Sequence, residues 1–247
     1  MKRILLAAVA STALVSGASA ADFIVEAPAE PVPIADWTGV SIGAVAGYGW
    51  ANTDSDVAVT GLPGVEFEVD GDGDGFLAGG SVGADVQLGS RVVVGALADI
   101  YWSDISADGS EDVDLGILLG TGTLAGTVDQ NWGFDILARA GFLATESTLV
   151  YALGGYSQVD VDWEASATTG FGTDTVDGSD TLGGWTVGGG VETRVTSNLS
   201  VKAEYRYTDF ESLDFGGLIG GVAPYEVSTD MDEHRAVLGL NWRFGNL

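Results

Sequence analysis

Apolar residues recur at every second position through eight separate segments of this chain. Val40, Ile42, Ala44, Ala46, Tyr48 and Trp50 form the first row, interleaved with Gly39, Ser41, Gly43, Val45, Gly47 and Gly49. Further rows run over 76–86, 92–102, 132–142, 149–153, 185–195, 199–207 and 236–244, the fifth (Leu149, Tyr151, Leu153) being the least clear. A repeat of two sends alternate side chains to opposite faces of a β-strand and cannot build one face of a helix. The connections also alternate. Leu88–Ser90, Ala144–Ser147 and Thr196–Asn198 are short, whereas the segments near 52–74, 103–127, 161–181 and 208–232 are long and rich in Gly, Asp, Ser and Thr.

A soluble β-sandwich would also show alternation and regular turns. Aromatic residues argue against it by clustering near the strand ends. Tyr48, Trp50, Phe76, Trp102, Trp132 and Trp185 lie toward the long connections, and Phe142, Trp242 and Phe244 toward the short ones. Two such girdles mark the two edges of a membrane. The reading is an all-β, eight-stranded antiparallel up-and-down transmembrane β-barrel with short periplasmic turns and long extracellular loops. Only helices and closed barrels satisfy every backbone group within lipid. The start of the chain agrees. Lys2 and Arg3, an apolar run from Ile4 to Val15 and the ending Ala18-Ser19-Ala20 describe a secretory signal peptide over 1–20. Residues 21–36, with Pro28, Pro31 and Pro33, read as a Pro-rich periplasmic linker, and 37–247 as the barrel.

Composition narrows the chemistry. The 36 Asp and Glu against 9 Lys and Arg leave a formal charge of -27, which excludes nucleic acid as a partner. Cysteine is absent, so disulfides, thiolate-bound zinc and thiol catalysis are excluded. Without the signal peptide seven bases remain, and all seven fall opposite the apolar rows: Arg91, Arg139, Arg194, Lys202, Arg206, Arg235 and Arg243. Asp85, Asp99, Asp135, Asp160, Glu192 and Glu204 share that side, Asp160 being the weakest assignment because the fifth strand's register is ambiguous. With the apolar rows facing lipid, these thirteen residues face the lumen. An eight-stranded barrel is only wide enough for side chains to fill it. Charges of both signs confined there must pair, so the reading is a plugged barrel with a paired ion network.

Another 25 carboxylates fall in the long connections or, as Asp129 and Glu233 do, directly beside them, and the connections contain no Lys or Arg. Solubility and mutual repulsion of like molecules is one reading of them. Divalent cations, Ca or Mg, taken from the medium or bridging to lipopolysaccharide phosphates, are the other. Asp70, Asp72 and Asp74, followed by Gly75, match the start of a calcium loop, but position 12 is Ser81 rather than Glu. Catalysis is not expected. The single imidazole, His234, sits at the rim of the last strand beside Asp232 and Glu233, with no serine marked as its partner.

The segments Gly184-Trp185-Thr186-Val187-Gly188-Gly189-Gly190-Val191-Glu192 and Leu199-Ser200-Val201-Lys202-Ala203-Glu204-Tyr205-Arg206-Tyr207 resemble the last hairpin of the small OmpA-like, "porin family" outer-membrane barrels of alphaproteobacteria. The opening Trp37-Thr38-Gly39-Val40-Ser41-Ile42-Gly43 and the closing Val237-Leu238-Gly239-Leu240-Asn241-Trp242-Arg243-Phe244 fit as well. The resemblance implies a bacterial outer-membrane protein with structural or surface-antigen roles. It also implies that Gly239, Trp242 and Phe244 form the signal read by the barrel-assembly machinery, although most relatives end on the aromatic and this chain continues to Leu247. Some members carry a mature Ala-Asp terminus joined to peptidoglycan, which would make Ala21, followed by Asp22, the linkage point. The functional expectation is a structural barrel contributing to envelope integrity, wall-tethered through that terminus, with outer-membrane lipid and lipopolysaccharide as neighbours. A narrow porin-like diffusion channel is the alternative, and adhesion through the acidic loops is a further one.

Overall fold

The computed structural model describes residues 36–59, 66–114, 121–170, 172–219 and 223–244. The signal-peptide and linker readings, Ala21 and Asp22 included, lie outside the described residues. Among the described residues ten strands form one antiparallel sheet: β1 (Gly39–Val59), β2 (Glu66–Leu88), β3 (Val92–Ser103), β4 (Ser106–Asp114), β5 (Thr121–Thr145), β6 (Thr148–Thr169), β7 (Gly172–Arg194), β8 (Leu199–Phe210), β9 (Leu213–Ile219) and β10 (Ala223–Arg243). β1 pairs with both β2 and β10, which closes the sheet on itself. β4 continues the line of β3 and pairs with the same neighbours, β2 and β5. β9 likewise continues β8 along β10. The ten segments therefore make eight staves, and the ring expected from the alternation is present.

The long connections are built differently from loops. Strand pairing continues through most of them: Ala58 still faces Glu66, Asp114 faces Thr121, Thr169 faces Gly172 and Ala223 faces Ile219. Their Gly, Asp, Ser and Thr content reads as turn composition in sequence. Among the described residues these extensions are held by ladder hydrogen bonds, on both sides in β1, and to a single neighbour in β9, which pairs with β10, and in residues 172–182 of β7, which pair with β6; that pairing overrides a weak local preference. At the other end the turns are short, and Gly89 adopts φ 66°, a left-handed conformation suited to glycine.

The outward face carries the expected apolar rows. Ile42, Trp50, Phe76, Val82, Ile100, Trp102, Trp132, Ile136, Trp185, Leu238, Leu240 and Trp242 are all exposed. Phe244, whose N–H donates to the Val40 carbonyl at 2.9 Å, marks one girdle, and Trp50 lies ten residues along β1 in the other. Ten residues span about 34 Å of strand, or about 25 Å along the axis at a tilt near 40°. That equals the apolar band of an outer-membrane barrel. β1 runs on to Val59 beyond it.

One stave departs from the expected phase. Leu149, Tyr151 and Leu153 point inward and are buried, while Val150 and Tyr156 are exposed. Both faces of this segment are apolar, so alternation cannot choose between them. Tertiary pairing does: the β5–β6 ladder shifts register between Leu143 and Thr145, and Phe142 then faces Val150, placing both outward. The same phase turns Asp160 outward, where it accepts a hydrogen bond from Trp132 Nε1 at 2.9 Å. Single cysteines in this cysteine-free chain should report the phase. Val150→Cys is expected to be quenched by spin-labelled lipid and Leu149→Cys to be protected; the reverse pattern would restore the sequence-based assignment.

Candidate functional site

Charged side chains fill the ring in two layers. Nearer the short turns, β5 supplies Arg139, β2 Asp85, β7 Glu192 and β10 Arg243. Arg139 grips the Asp85 carboxylate through Nε at 2.8 Å and Nη2 at 2.5 Å, and reaches Glu192 through Nη1 at 2.7 Å. Arg243 Nη2 donates to the same Asp85 at 2.8 Å. Ser200 and Asn241 donate to Glu192 Oε1 at 2.5 Å and 3.3 Å. Two guanidinium groups thus face two carboxylates, whose remaining lone pairs are also engaged.

The next layer centres on Arg206 of β8. It pairs with Asp99 of β3 and Asp135 of β5, each at 2.6 Å, and with Glu204 on its own strand. Glu204 is further held by Lys202 Nζ at 3.2 Å and the Tyr151 hydroxyl at 2.5 Å. Arg235 of β10 pairs with Asp135 at 3.2 Å and Glu233 at 3.6 Å, and lies 5.0 Å over the Tyr101 ring. All eleven ions are buried. Such close two-sided pairing offsets a desolvation cost of several kcal/mol per ion. Within this layer Asp99 Oδ1, Tyr101 OH, Glu233 Oε1 and Arg235 Nε and Nη1 have no hydrogen-bond partner among the described residues.

Inward glycines make room for these long side chains. A Cβ at Gly239 would lie 2.6 Å from Lys202 Cε, and one at Gly95 would overlap the Asp85 carboxylate. Gly239 thus has a packing role inside the barrel, while Trp242 and Phe244 of the same motif face outward. Two apolar clusters complete the filling. Val93, Leu97, Leu137, Leu143, Leu149, Tyr151 and Leu153 pack with Trp37 nearer the short turns. Toward the long hairpins, Ala51, Leu77, Tyr101, Ile105, Val159, Val161, Leu182, Phe210 and Met231 form the second cluster.

Of the residues expected in the lumen, the structure brings together Asp85, Asp99, Asp135, Arg139, Glu192, Lys202, Glu204, Arg206, Arg235 and Arg243. It leaves three aside. Arg91 is exposed in the β2–β3 turn, with its guanidinium 5.5 Å from the Phe142 ring centre on the outer face. Arg194 is half-buried at the mouth, over Trp37. Asp160 faces outward with β6. Glu233 was not expected there, since it reads as part of an acidic connection. Its separation of two from Arg235 was the available signal. Trp37 was missed as well, because nothing in the sequence marks the residue before a strand as an inward plug.

Asp70, Asp72 and Asp74 do not form a calcium loop. They lie on the paired strand β2, where alternate residues stand about 6.8 Å apart, too far to converge on one ion. Among the described residues no three carboxylate or imidazole groups come together as a metal site. The His234 Nδ1 meets the Tyr205 hydroxyl at 2.7 Å, and its Nε2 lies 3.6 Å from Asp232, on the outer surface.

This lumen, ring and pair of girdles agree with comparisons to known proteins. The outer membrane protein beta-barrel domain family matches residues 7–244. The chain belongs to that family. A 31 kDa outer-membrane immunogenic protein of Brucella melitensis is 30% identical over 99% of this chain and 100% of its own length. A 22 kDa outer membrane protein of Rhizobium leguminosarum is 29% identical, covering 89% and 82%, and a 25 kDa outer-membrane immunogenic protein of Brucella canis is 25% identical, covering 99% of each. Among solved structures, the outer membrane protease OmpT of Escherichia coli superposes with a TM-score of 0.51 at 10% identity, covering 83% of this chain and 97% of that one, which shows a common fold alone. The protein is therefore a β-barrel of the bacterial outer membrane, and in barrels of this kind the short turns lie in the periplasm and the long hairpins outside.

Truncating Arg206 leaves the buried Asp99 without its ion-pair partner and removes one partner each from Asp135 and Glu204. Arg206→Met should lower unfolding stability by about 3–5 kcal/mol, while Arg91→Met, at an exposed turn, should stay within about 0.5 kcal/mol. Equilibrium urea unfolding in lipid vesicles measures both, and equal effects would contradict the layered network.

Proposed function

We propose that the protein is a non-enzymatic structural barrel that contributes to envelope integrity and presents a polyanionic surface to the medium. The observation that carries this reading is the filled lumen. Eleven ions in two layers, between apolar clusters, leave the section of an eight-stave ring occupied by side chains. Outside the membrane the staves carry rows of carboxylates. Asp54 stands opposite both Asp70 and Asp230, Asp72 opposite Asp108, and Asp232 opposite Asp209. Like charges in register weaken pairing, so their retention fits a surface role, such as repelling neighbouring molecules, better than a folding role.

A second reading, a narrow porin-like channel, is favoured by one feature: the five unpartnered polar atoms around Arg235 and Glu233. Buried polar groups of this kind usually hold ordered water, and a water cluster is where a conducting path would begin. Planar-bilayer recording of the refolded protein separates the two. The structural reading expects silence, whereas discrete conductance steps would favour the channel.

The attachment to the wall rests on the resemblance of Ala21-Asp22 and the Pro-rich segment to wall-linked relatives. Fifteen extended residues reach about 45 Å at roughly 3.1 Å each, a usable span between the two layers. Mass spectrometry of muropeptides from purified sacculi is expected to find a peptide of this protein attached through the Ala21 amine. A digest lacking it would remove the tether and leave the barrel reading intact.

A further inference from the structure

Trp37 precedes the first strand, yet its side chain is 0% exposed. Contacts from the strand ends at the short turns hold it. Its N–H donates to Gln87 Oε1 at 2.9 Å, next to the β2–β3 turn. Its indole Nε1 donates to the Glu146 carbonyl at 3.3 Å, in the β5–β6 turn. Arg194, at the end of β7, lies 4.6 Å from the ring centre and also donates to the Asp36 carbonyl at 2.6 Å. Arg243, at the end of β10, lies 5.4 Å from the ring and donates to the Trp37 carbonyl at 2.7 Å. An indole between two guanidinium groups is a favourable cation–π arrangement, stronger when water is excluded. Asp36 itself is solvent-facing. The Thr38 N–H, donating at 2.8 Å, holds its carboxyl below the usual range, so it stays ionised near Arg194.

Arg243 has a second commitment. The Nη1 that holds Trp37 belongs to the same guanidinium whose Nη2 holds Asp85. The plug and the lower ion layer therefore share one group. We propose that Asp36–Trp37 is a latch seated in the periplasmic mouth, which keeps the lower lumen dry and is coupled through Arg243 to the Asp85–Arg139–Glu192 layer. Withdrawal of the Asp36–Trp37 segment would free Arg243 Nη1 from the Trp37 carbonyl, uncover the guanidinium face that the indole covers, and admit water onto Leu149, Val93 and the carboxylates above them. The latch is built from the barrel's own residues and holds whether or not Ala21 is joined to the wall.

The absence of native cysteine makes this testable. Leu149→Cys places a thiol in the cluster that contains Trp37. In lipid vesicles this variant should react slowly with a small charged methanethiosulfonate. Adding Trp37→Ala should accelerate labelling at least tenfold, whereas Trp37→Phe, which keeps a ring between the arginines, should stay near the parent rate. Equal rates in all three would overturn the plug. Should Trp37→Ala fail to give the heat-modifiable band of a folded barrel, Arg194→Ala replaces it, removing only the outer side of the stack. It should accelerate labelling by a smaller factor, and no acceleration would again overturn the plug. The coupling has its own readout. Asp85→Asn should shift the urea midpoint less in the Trp37→Ala background than in the parent, because the indole lies over the same Arg243 guanidinium that holds Asp85 and loss of the ring loosens that group. Additive shifts would leave a plug without a latch.

Discussion

A backbone amide in lipid has no water to bond, and the rest of this structure follows from that constraint. Every strand must find partners on both sides, so β1 must meet β10 as well as β2. Closure at eight staves sets a bore that side chains can fill. An inward side chain then has only other inward side chains as surroundings. Arg139, Lys202, Arg206, Arg235 and Arg243 persist there because Asp85, Asp99, Asp135, Glu192, Glu204 and Glu233 are within reach. Glycines such as Gly95 and Gly239 supply the volume that the guanidinium and ammonium stems need.

Outside the lipid the constraint relaxes and the charge distribution changes accordingly. The hairpins beyond the girdle keep the pairing that closure began, but water solvates their outer faces. Carboxylates can therefore stand opposite carboxylates, as Asp54 does with Asp70 and Asp230. At the periplasmic end the ring would open onto water, and Trp37 with Arg194 and Arg243 occupies that opening. The molecule thus has three electrostatic zones along its axis: a cationic and aromatic mouth, a closely balanced interior and an acidic outer sleeve.

How far this was legible depended on how different the two faces of each stave are. In β8, Leu199, Val201, Ala203, Tyr205 and Tyr207 alternate with Ser200, Lys202, Glu204, Arg206 and Thr208, and the inward set could be read directly. In β6, Leu149 and Val150 are equally apolar, so the phase awaited the register shift beside Thr145. Parity alone places Arg91 and Arg194 in the lumen, but they sit at stave ends, where side chains can leave the bore for a turn or a mouth. Glu233 was obscured by its acidic neighbours, although parity with Arg235 places it inside.

The amino-acid sequence by itself determined the class of fold, the number of staves, which connections are short and the concentration of basic residues on the inner face. All of these follow from a repeat of two and from the cost of an unpaired charge in lipid, both local or compositional properties. Only the tertiary structure decided the phase of β6, the strand character of the long connections, the pairing of each arginine and the seat of Trp37. Those depend on which residues face one another across a closed ring, a relation between distant positions that no local pattern encodes.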